Sequence, residues 1–522
     1  LTSKPHLLTD LRIRAAYSEG AGIYRIVPRA VAMPAALAEL QELVRWAAQT
    51  GTPLVPRGAG SGMAGGNVGP GVIVDLRAFD ALSIDAARRT ARTGAATTWG
   101  ALDAAARGSG LRLPPDPSSG PFATCGGLVA TNAAGPRTVR YGSVRRWVAA
   151  LDVVGADGEC RTITRGGGRG PWTPTPETRN LVARFPATRK SSSGYALDAF
   201  AQSGDEVDLL VGSEGTLAII SAVEWRLDPV PPDTAGVALG FRDRAALAEA
   251  VPFLLGLNPS AVELLDATLL GFLADSGGDV PAGLASLVLV EFERETQAAA
   301  RGAVGDAVRG LRHLTAHVAT AVDRTGLEQL WRIRRLASPA LARLPETRRS
   351  LQLVEDGCVP VAGLGQYVAG LHEAAHEHGI PIVAFGHAGD GHVHANIQPD
   401  VTRARWLDDA ARLFADVTEL VRRLGGTPSG EHGDGRLRAG VLERFYGPDG
   451  IDAFRALKHA YDPLSILNPG VIIPAPDWDP LAHLKVGPDA AQIPDDIAAR
   501  LRAVERSAAW GIPKARLMDA VA

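Results

Sequence analysis

Between Pro34 and Gln49 the chain reads PAALAELQELVRWAAQ, and Leu37, Leu40, Leu43, Val44 and Ala47 recur at the spacing of one helix face. The pattern predicts a helix that Gly51 ends. A short apolar stretch, TPLVP, and the run VIVDL (72–76) enclose fifteen residues with seven glycines, RGAGSGMAGGNVGPG. The reading is strand, glycine loop, strand. WVAALDVV followed by GADG predicts a hairpin, and LLVGSEGTLAIISAVEWRL (209–227) a glycine turn that leads into a strand. Proline concentrates in DPVPPDTAG (228–236), the mark of a domain boundary. Beyond it, Ala/Leu-rich helical patterns alternate with apolar strands such as SLVLVEFE (286–293). RGGGRGPWTPTPETRN (165–180) reads as a loop or insertion, and the stretch after IIPAPDWDP (472–480) as a polar helical tail.

Elements mixed in this way predict an α+β fold. Its expected parts are a first domain at 1–230, an α/β second domain at 231–425, a segment at 426–475 that returns to the first, and a tail at 476–522. A chain of 522 residues is long enough for several lobes, each with its own core. Lys+Arg 54 against Asp+Glu 57 leaves a net charge of -3, which gives no footing for nucleic acid or an anionic surface. A small-molecule partner is expected. Only five lysines occur (4, 190, 458, 485, 514), and with the wealth of Ala, Gly and Pro this reads as compositional bias without functional weight. Cys125, Cys160 and Cys358 lie far apart, so neither a disulfide framework nor a cysteine-held cluster is legible, and a reducing cytoplasm fits. No apolar run reaches the ~18–20 residues of a spanning helix, and LTSKPHLLTDLRIR lacks a secretory apolar segment. The chain begins with Leu rather than Met, which leaves the natural start open.

Successive backbone N–H groups without side chains form an anion nest suited to a pyrophosphate. RGAGSGMAGG ends without the GK[ST] of a triphosphate-binding loop. Only Asn67 to Gly71 separate Gly66 from the next strand, too few for the helix of a Rossmann unit, so Asp80 some way on is a coincidence. What remains is a nest between two strands, or a plain surface loop. PPDPSSGPFATCGGLVATNAAGPRTVRYG (114–142) and RKSSSGYALDAF with LLVGSEGTLAII (189–220) favour the nest, since such loops suit a dinucleotide lying across them. In this order the motifs resemble the FAD-binding domain of the vanillyl-alcohol oxidase superfamily. The resemblance implies FAD, with Pro56, Arg57, Gly58, Ala59, Gly60, Ser61, Gly62 and Gly65 round the pyrophosphate. Pro115, Asp116, Gly126, Gly127, Asn132, Gly135, Gly194, Tyr195, Glu214 and Gly215 would lie along the rest. Covalent members often carry histidine where this chain has Ser61 or Gly62, so noncovalent FAD is expected. Cys125 is read as packing.

PIVAFGH (381–387) and HVHANI (392–397) flank AGDG, which predicts a hairpin. With 387 opposite 392, His387 and His392 are cross-strand neighbours and His394 lies diagonal to His387, all on one face. Converging neutral imidazoles suit a borderline divalent metal. Glu431 of TPSGEHGDG (427–435) offers a carboxylate, and two His with one Glu leave coordination positions open; a polar turn is the alternative there. His6 and His459 read as surface residues.

GHAGDGHVH, SGEHGDG and YDPLSILNPGVI (461–472) together resemble the C-terminal region of the FAD-linked 2-hydroxy-acid dehydrogenases, which act on D-lactate, D-2-hydroxyglutarate or glycolate. The resemblance implies oxidation of a D-2-hydroxy acid by hydride transfer to FAD. His387, His394 and Glu431 resemble the ligands of a divalent metal, with Zn and Mn first among the candidates, and His432 resembles the base. Asn396 would line the substrate site and Asn468 would face the flavin. LWRIRRLASPAL (330–341) resembles the segment that supplies the carboxylate-binding arginine, placed at Arg334 with Ser338 near it. His392 stands where the family pattern has Asn, which leaves a third imidazole ligand open. The acceptor stays open among a quinone, a cytochrome, an electron-transfer flavoprotein and a separate iron–sulfur subunit. So do a homodimer and a peripheral place at the inner face of the membrane. The competing readings are a metal-dependent hydrolase, a non-catalytic flavin subunit and an oxygen-using oxidase.

Overall fold

A computed structural model of the chain describes residues 5–277 and 279–517, apart from the side chains of residues 338 and 515. The helix expected at 34–49 runs Leu37–Thr50 and stops on Gly51, whose φ of 62° is left-handed. Its buried stripe packs on a three-stranded parallel sheet ordered Ala30–Ala32, Val72–Asp75, Leu54–Arg57. Neighbouring parallel strands need a long crossover. The glycine loop 58–71 supplies it with no helix between. A five-stranded antiparallel sheet follows, ordered Leu82–Asp85, Thr90–Gly94, Ile219–Arg226, Val148–Val154, Cys160–Thr164, and its last two strands are the hairpin around GADG. The loop expected at 165–180 is only half a loop: Thr175 caps a helix Pro176–Val182 with proline in its first turn.

The chain leaves this half at Arg226, pairs Asp228–Pro229 with Leu111–Arg112, and enters a six-stranded antiparallel sheet at Asp233. The order is Thr315–Ala321, Asp233–Phe241, Ser286–Arg294, Ala261–Asp266, Ile382–His387, His392–Ile397. Strand residues alternate between faces. Val288, Val290 and Phe292, with Val262 and Leu264, face an apolar core under the helices Leu364–Glu377 and Trp406–Arg423. The register puts Glu263, Glu291, Glu293, His387, His392, His394 and Asn396 on the other face. The polar residues of one sheet face thus meet the first half. Leu442, Tyr446, Phe454 and Leu457 then return into the core of that half, and Leu467 pairs with Leu54. The tail carries a helix, Asp495–Ser507, and a short 3-10 turn, Lys514–Leu517. Among the described residues no helix is long and apolar enough to cross a membrane.

Candidate active site

A cavity of about 1080 Å³ lies between the halves. One wall is mostly backbone: residues 56–62, then Gly126, Gly127, Gly135, Glu214 and Gly215. A Cβ on Gly58 would stand 2.2 Å from Thr124 Oγ1, and one on Gly60, at φ 80°, would meet the Arg57 guanidinium at 2.4 Å. No side chain fits there. Arg57 points away from the cavity and donates to the carbonyls of Tyr17 (3.1 Å), Glu19 (2.7 Å) and Asn67 (3.3 Å), which pins the loop. A concave wall of N–H groups fits a pyrophosphate, and the volume suits a dinucleotide with room for a small substrate.

Six of the expected cofactor residues stand outside this lining. Gly65 lies against the Tyr24 ring, the carbonyl of Pro115 accepts from Trp99 Nε1 (2.7 Å), and the Gly194 N–H donates to Asp434 (2.6 Å). The Tyr195 hydroxyl pairs with Thr216 (2.7 Å), and Asn132 accepts from Ser143 (2.7 Å). Asn468, expected to face the flavin, donates to the carbonyls of Gly66 (2.8 Å) and Glu214 (2.9 Å), and so ties two loops together from behind. Asn132, Glu214 and Asn468 all take left-handed φ, near 50°, 52° and 45°. Asp116 does line the cavity and is paired with Arg137. Cys125 is packed as expected, and burial pushes its thiol up to about 12.

The opposite wall carries the histidines. His387 pairs with His392 across the hairpin, and Phe385 with His394, the register counted from the sequence. Nδ1 of His387 donates to Glu263 (2.5 Å) and Nδ1 of His394 to the Glu355 carbonyl (3.2 Å), so both Nε2 lone pairs turn inward. These Nε2 atoms are 3.4 Å apart, and Glu431 Oε1 lies 3.0 and 3.2 Å from them. Three acceptors converge with no donor between them, which calls for a proton or a metal ion. The spacing matches the ~3.3 Å edge of a tetrahedron of ligands about 2.05 Å from a metal, so the donor set fits a divalent ion. A ring nitrogen of His392 also lies within 4.8 Å of these ligand atoms, but both of its nitrogens are engaged. Its Nε2 donates to Asp356 (2.8 Å) and its Nδ1 accepts from Lys190 (3.3 Å), and burial holds it neutral, its pKa down to about 3.

The SGEHGDG stretch is a loop wrapped on one carboxylate: Asp356 accepts from Ser429 Oγ (2.6 Å) and from the N–H of Glu431 (3.3 Å) and His432 (2.9 Å). His432 stacks on His394 and sends Nδ1 to Glu355 (2.7 Å), whose other oxygen takes Arg438 (2.6 Å). Burial disfavours an imidazolium at His432, but Asp356 and Glu355 outweigh it and push the group up to about 10. Arg334 lines the cavity, lies over the Phe385 ring at 4.6 Å and donates through Nε to Glu263 (3.0 Å). Burial opposes ionisation of Glu263, yet His387 and Arg334 hold it down to about 2. Asn396 also lines the cavity, its Oδ1 facing Ser350 (3.3 Å) and Gln352 (3.4 Å). The Ser338 side chain lies outside the described residues.

Sequence reasoning missed Lys190, Glu263, Glu355, Asp356 and Arg438. Lys190 reaches from the first half to Glu431 Oε2 at 2.7 Å. Its signal was the rarity of lysine, and that of Glu263 was a charge set among the apolar residues of the strand AVELLD.

Two family models match the chain: FAD binding domain over residues 28–164, and FAD linked oxidases, C-terminal domain, over residues 230–472. D-lactate dehydrogenase of Archaeoglobus fulgidus is 31% identical over 86% of this chain and 93% of its own. Glycolate oxidase subunit GlcD of Bacillus subtilis is 31% identical (86% and 89%), and D-2-hydroxyglutarate dehydrogenase of Xanthomonas citri pv. viticola 30% (86% and 90%). The fold is shared with p-cresol methylhydroxylase in its substrate-bound crystal structure, at a TM-score of 0.66, 16% identity and coverage of 90% and 94%.

Proposed function

This chain belongs to the FAD-linked oxidases, and from that premise we propose that it oxidises a D-2-hydroxy acid to the 2-oxo acid. FAD would lie on the glycine wall, and a divalent metal, Zn or Mn, on His387, His394 and Glu431. The similar proteins named for D-lactate, glycolate and D-2-hydroxyglutarate all take 2-hydroxy acids. The observation that carries the reading is the inward triangle of His387 Nε2, His394 Nε2 and Glu431 Oε1 in the same cavity as the glycine loops. A metal-dependent hydrolase would leave that glycine wall without a use.

When bound, FAD supplies the two-electron acceptor and the metal a positive charge beside the substrate hydroxyl. The chain's own residues do the rest. Arg334 uses Nε on Glu263, so its outer nitrogens are left to clamp the carboxylate in two-point fashion. Held there, the acid can present only one face of its α-carbon to the flavin. Because Glu355 holds His432 at Nδ1, Nε2 is the atom that takes the hydroxyl proton. The paired carboxylates keep His432 charged by themselves, so it becomes a base only with a like charge nearby, which the adjoining ligands would hold. Asn396, its carbonyl engaged, turns its amide N–H to the substrate.

An anaerobic absorbance spectrum tests this. The flavin band is expected to bleach with one D-2-hydroxy acid and not with its L-isomer. A flavin that no 2-hydroxy acid of either hand reduces would overturn the reading.

A further inference from the structure

The helix Arg324–Arg335 buries Trp331 and Arg334, which stand three positions apart and so share one face. Each is tied to a buried glutamate on the polar face of the six-stranded sheet. Trp331 Nε1 donates to Glu291 Oε2 (3.0 Å), and Arg334 Nε to Glu263 Oε2 (3.0 Å). Glu263 is held within the second domain, by His387. Glu291 takes Ser260 Oγ at 3.3 Å from its own sheet, but its stronger partner comes from the first half. Arg137 donates to it through Nε (2.8 Å) and Nη2 (2.9 Å), while Nη1 of the same guanidinium pairs with Asp116 of the cavity lining. The guanidinium also lies 5.9 Å from the centre of the Trp331 ring.

The neighbouring Glu293 repeats the arrangement. Its carboxylate takes Arg112 at 2.7 and 3.0 Å, and its carbonyl takes Arg140 at 2.8 Å. Segment 112–141 of the first half thus grips the sheet at two points. A fork of two N–H groups on a carboxylate fixes an angle as well as a distance. Buried ion pairs add little net stability over apolar packing, so what this grip supplies is geometry. A continuous set of contacts runs from Asp116 through Arg137 and Glu291 to Trp331, one helical turn from Arg334.

We infer that Arg137 and Trp331 are positioning residues: with Glu291 between them they fix the helix face that aims Arg334, so the first half dictates where the substrate carboxylate is held. The use of Arg334 as a clamp rests on the function proposed above.

The test uses full-length, FAD-loaded protein. Oxalate, a carboxylate ligand that needs no turnover, is titrated by its perturbation of the flavin band, beside KM and kcat for the 2-hydroxy acid that reduces wild type. Trp331→Phe removes one donor and leaves Glu291 on Arg137. The oxalate Kd and the KM are expected to rise about 10-fold, as for a lost hydrogen bond to a charged group, with metal content kept and kcat changed less than KM. Unchanged oxalate Kd and KM overturn the inference. In an Arg334→Lys background the same substitution should change the oxalate Kd by less than ~2-fold, because its effect passes through Arg334. A full effect there would mean that the indole acts on the ligand directly, and would also overturn it. Should Trp331→Phe fail to fold, Glu291→Gln can no longer accept from both Arg137 nitrogens and is expected to weaken oxalate in the same direction; an unchanged Kd overturns the inference. If no 2-hydroxy acid reduces the wild-type flavin yet oxalate binds, the functional reading fails by itself and the oxalate titrations still decide. A wild type that binds no oxalate has no clamp at Arg334, and both fail.

Discussion

The two walls of the cavity are built by different means. The glycine wall is shape: loops so tightly folded that a Cβ collides with its neighbours, with the Arg57 guanidinium turned away to hold carbonyls. The histidine wall is charge: Glu263, Glu355, Asp356, Glu431, Lys190, Arg334 and Arg438 are all buried, and each is paired. A wall of shape tolerates changes in charge but not in volume. A wall of charge tolerates volume but not the loss of one partner, because the other is left buried and alone. The two should therefore fail separately.

His387→Ala gives the largest expected effect. Metal by elemental analysis should fall to background and flavin reduction should slow on the order of 10³-fold, while FAD stays bound. Loss of FAD together with metal would show the walls to be one unit. Gly60→Val is the reverse lesion. A side chain at φ 80° facing the Arg57 guanidinium should weaken FAD by at least ~10-fold by equilibrium dialysis, with metal content kept.

The difference between the walls also explains what could be read from the sequence. The hairpin that brings the three histidines to one face is local, so counting from a four-residue turn sets its register. The glycine loop is likewise contiguous, and its lack of a following helix is visible in its length. Glu263, Glu355 and Lys190 come from segments far apart in the chain, and no spacing rule brings them to the histidines. Membership of a motif does not separate lining from bracing: Asn468, Tyr195 and Gly194 stand in the same set of motifs and tie neighbouring loops together. The scarcity of lysine, set aside as bias, carried information. In a chain rich in arginine, all four lysines among the described residues are buried, at 3%, 8%, 3% and 3% exposure. A lysine kept there occupies a place where a compact ammonium fits and a guanidinium fork does not.

Lys190 crosses from one wall to the other and is the place to sharpen the contrast. Lys190→Met leaves Glu431 buried without its ammonium, which should destabilise the metal-free protein by about 3–5 kcal/mol. Added metal restores a positive partner, so the rise in Tm on metal addition should be larger than in wild type. An equal rise would mean that the ion pair does not bear on the ligand.

The smallest effect is a pH dependence, and its sign separates the two states of the histidine wall. In the metal-free protein His432 is raised from 6.5 to about 10 by Asp356 and Glu355, against the opposing pull of burial. A raised folded-state value means that the imidazolium's stabilisation is fully present below about 6.5 and lost as pH climbs through about 10. Wild type should therefore exceed His432→Gln in Tm at pH 6, and the gap should close toward pH 10. With metal loaded, the like charge lowers the His432 value, so the gap should close at lower pH. A gap that ignores metal would place His432 outside the electrostatic reach of the ligand set and remove the reason for reading it as the base.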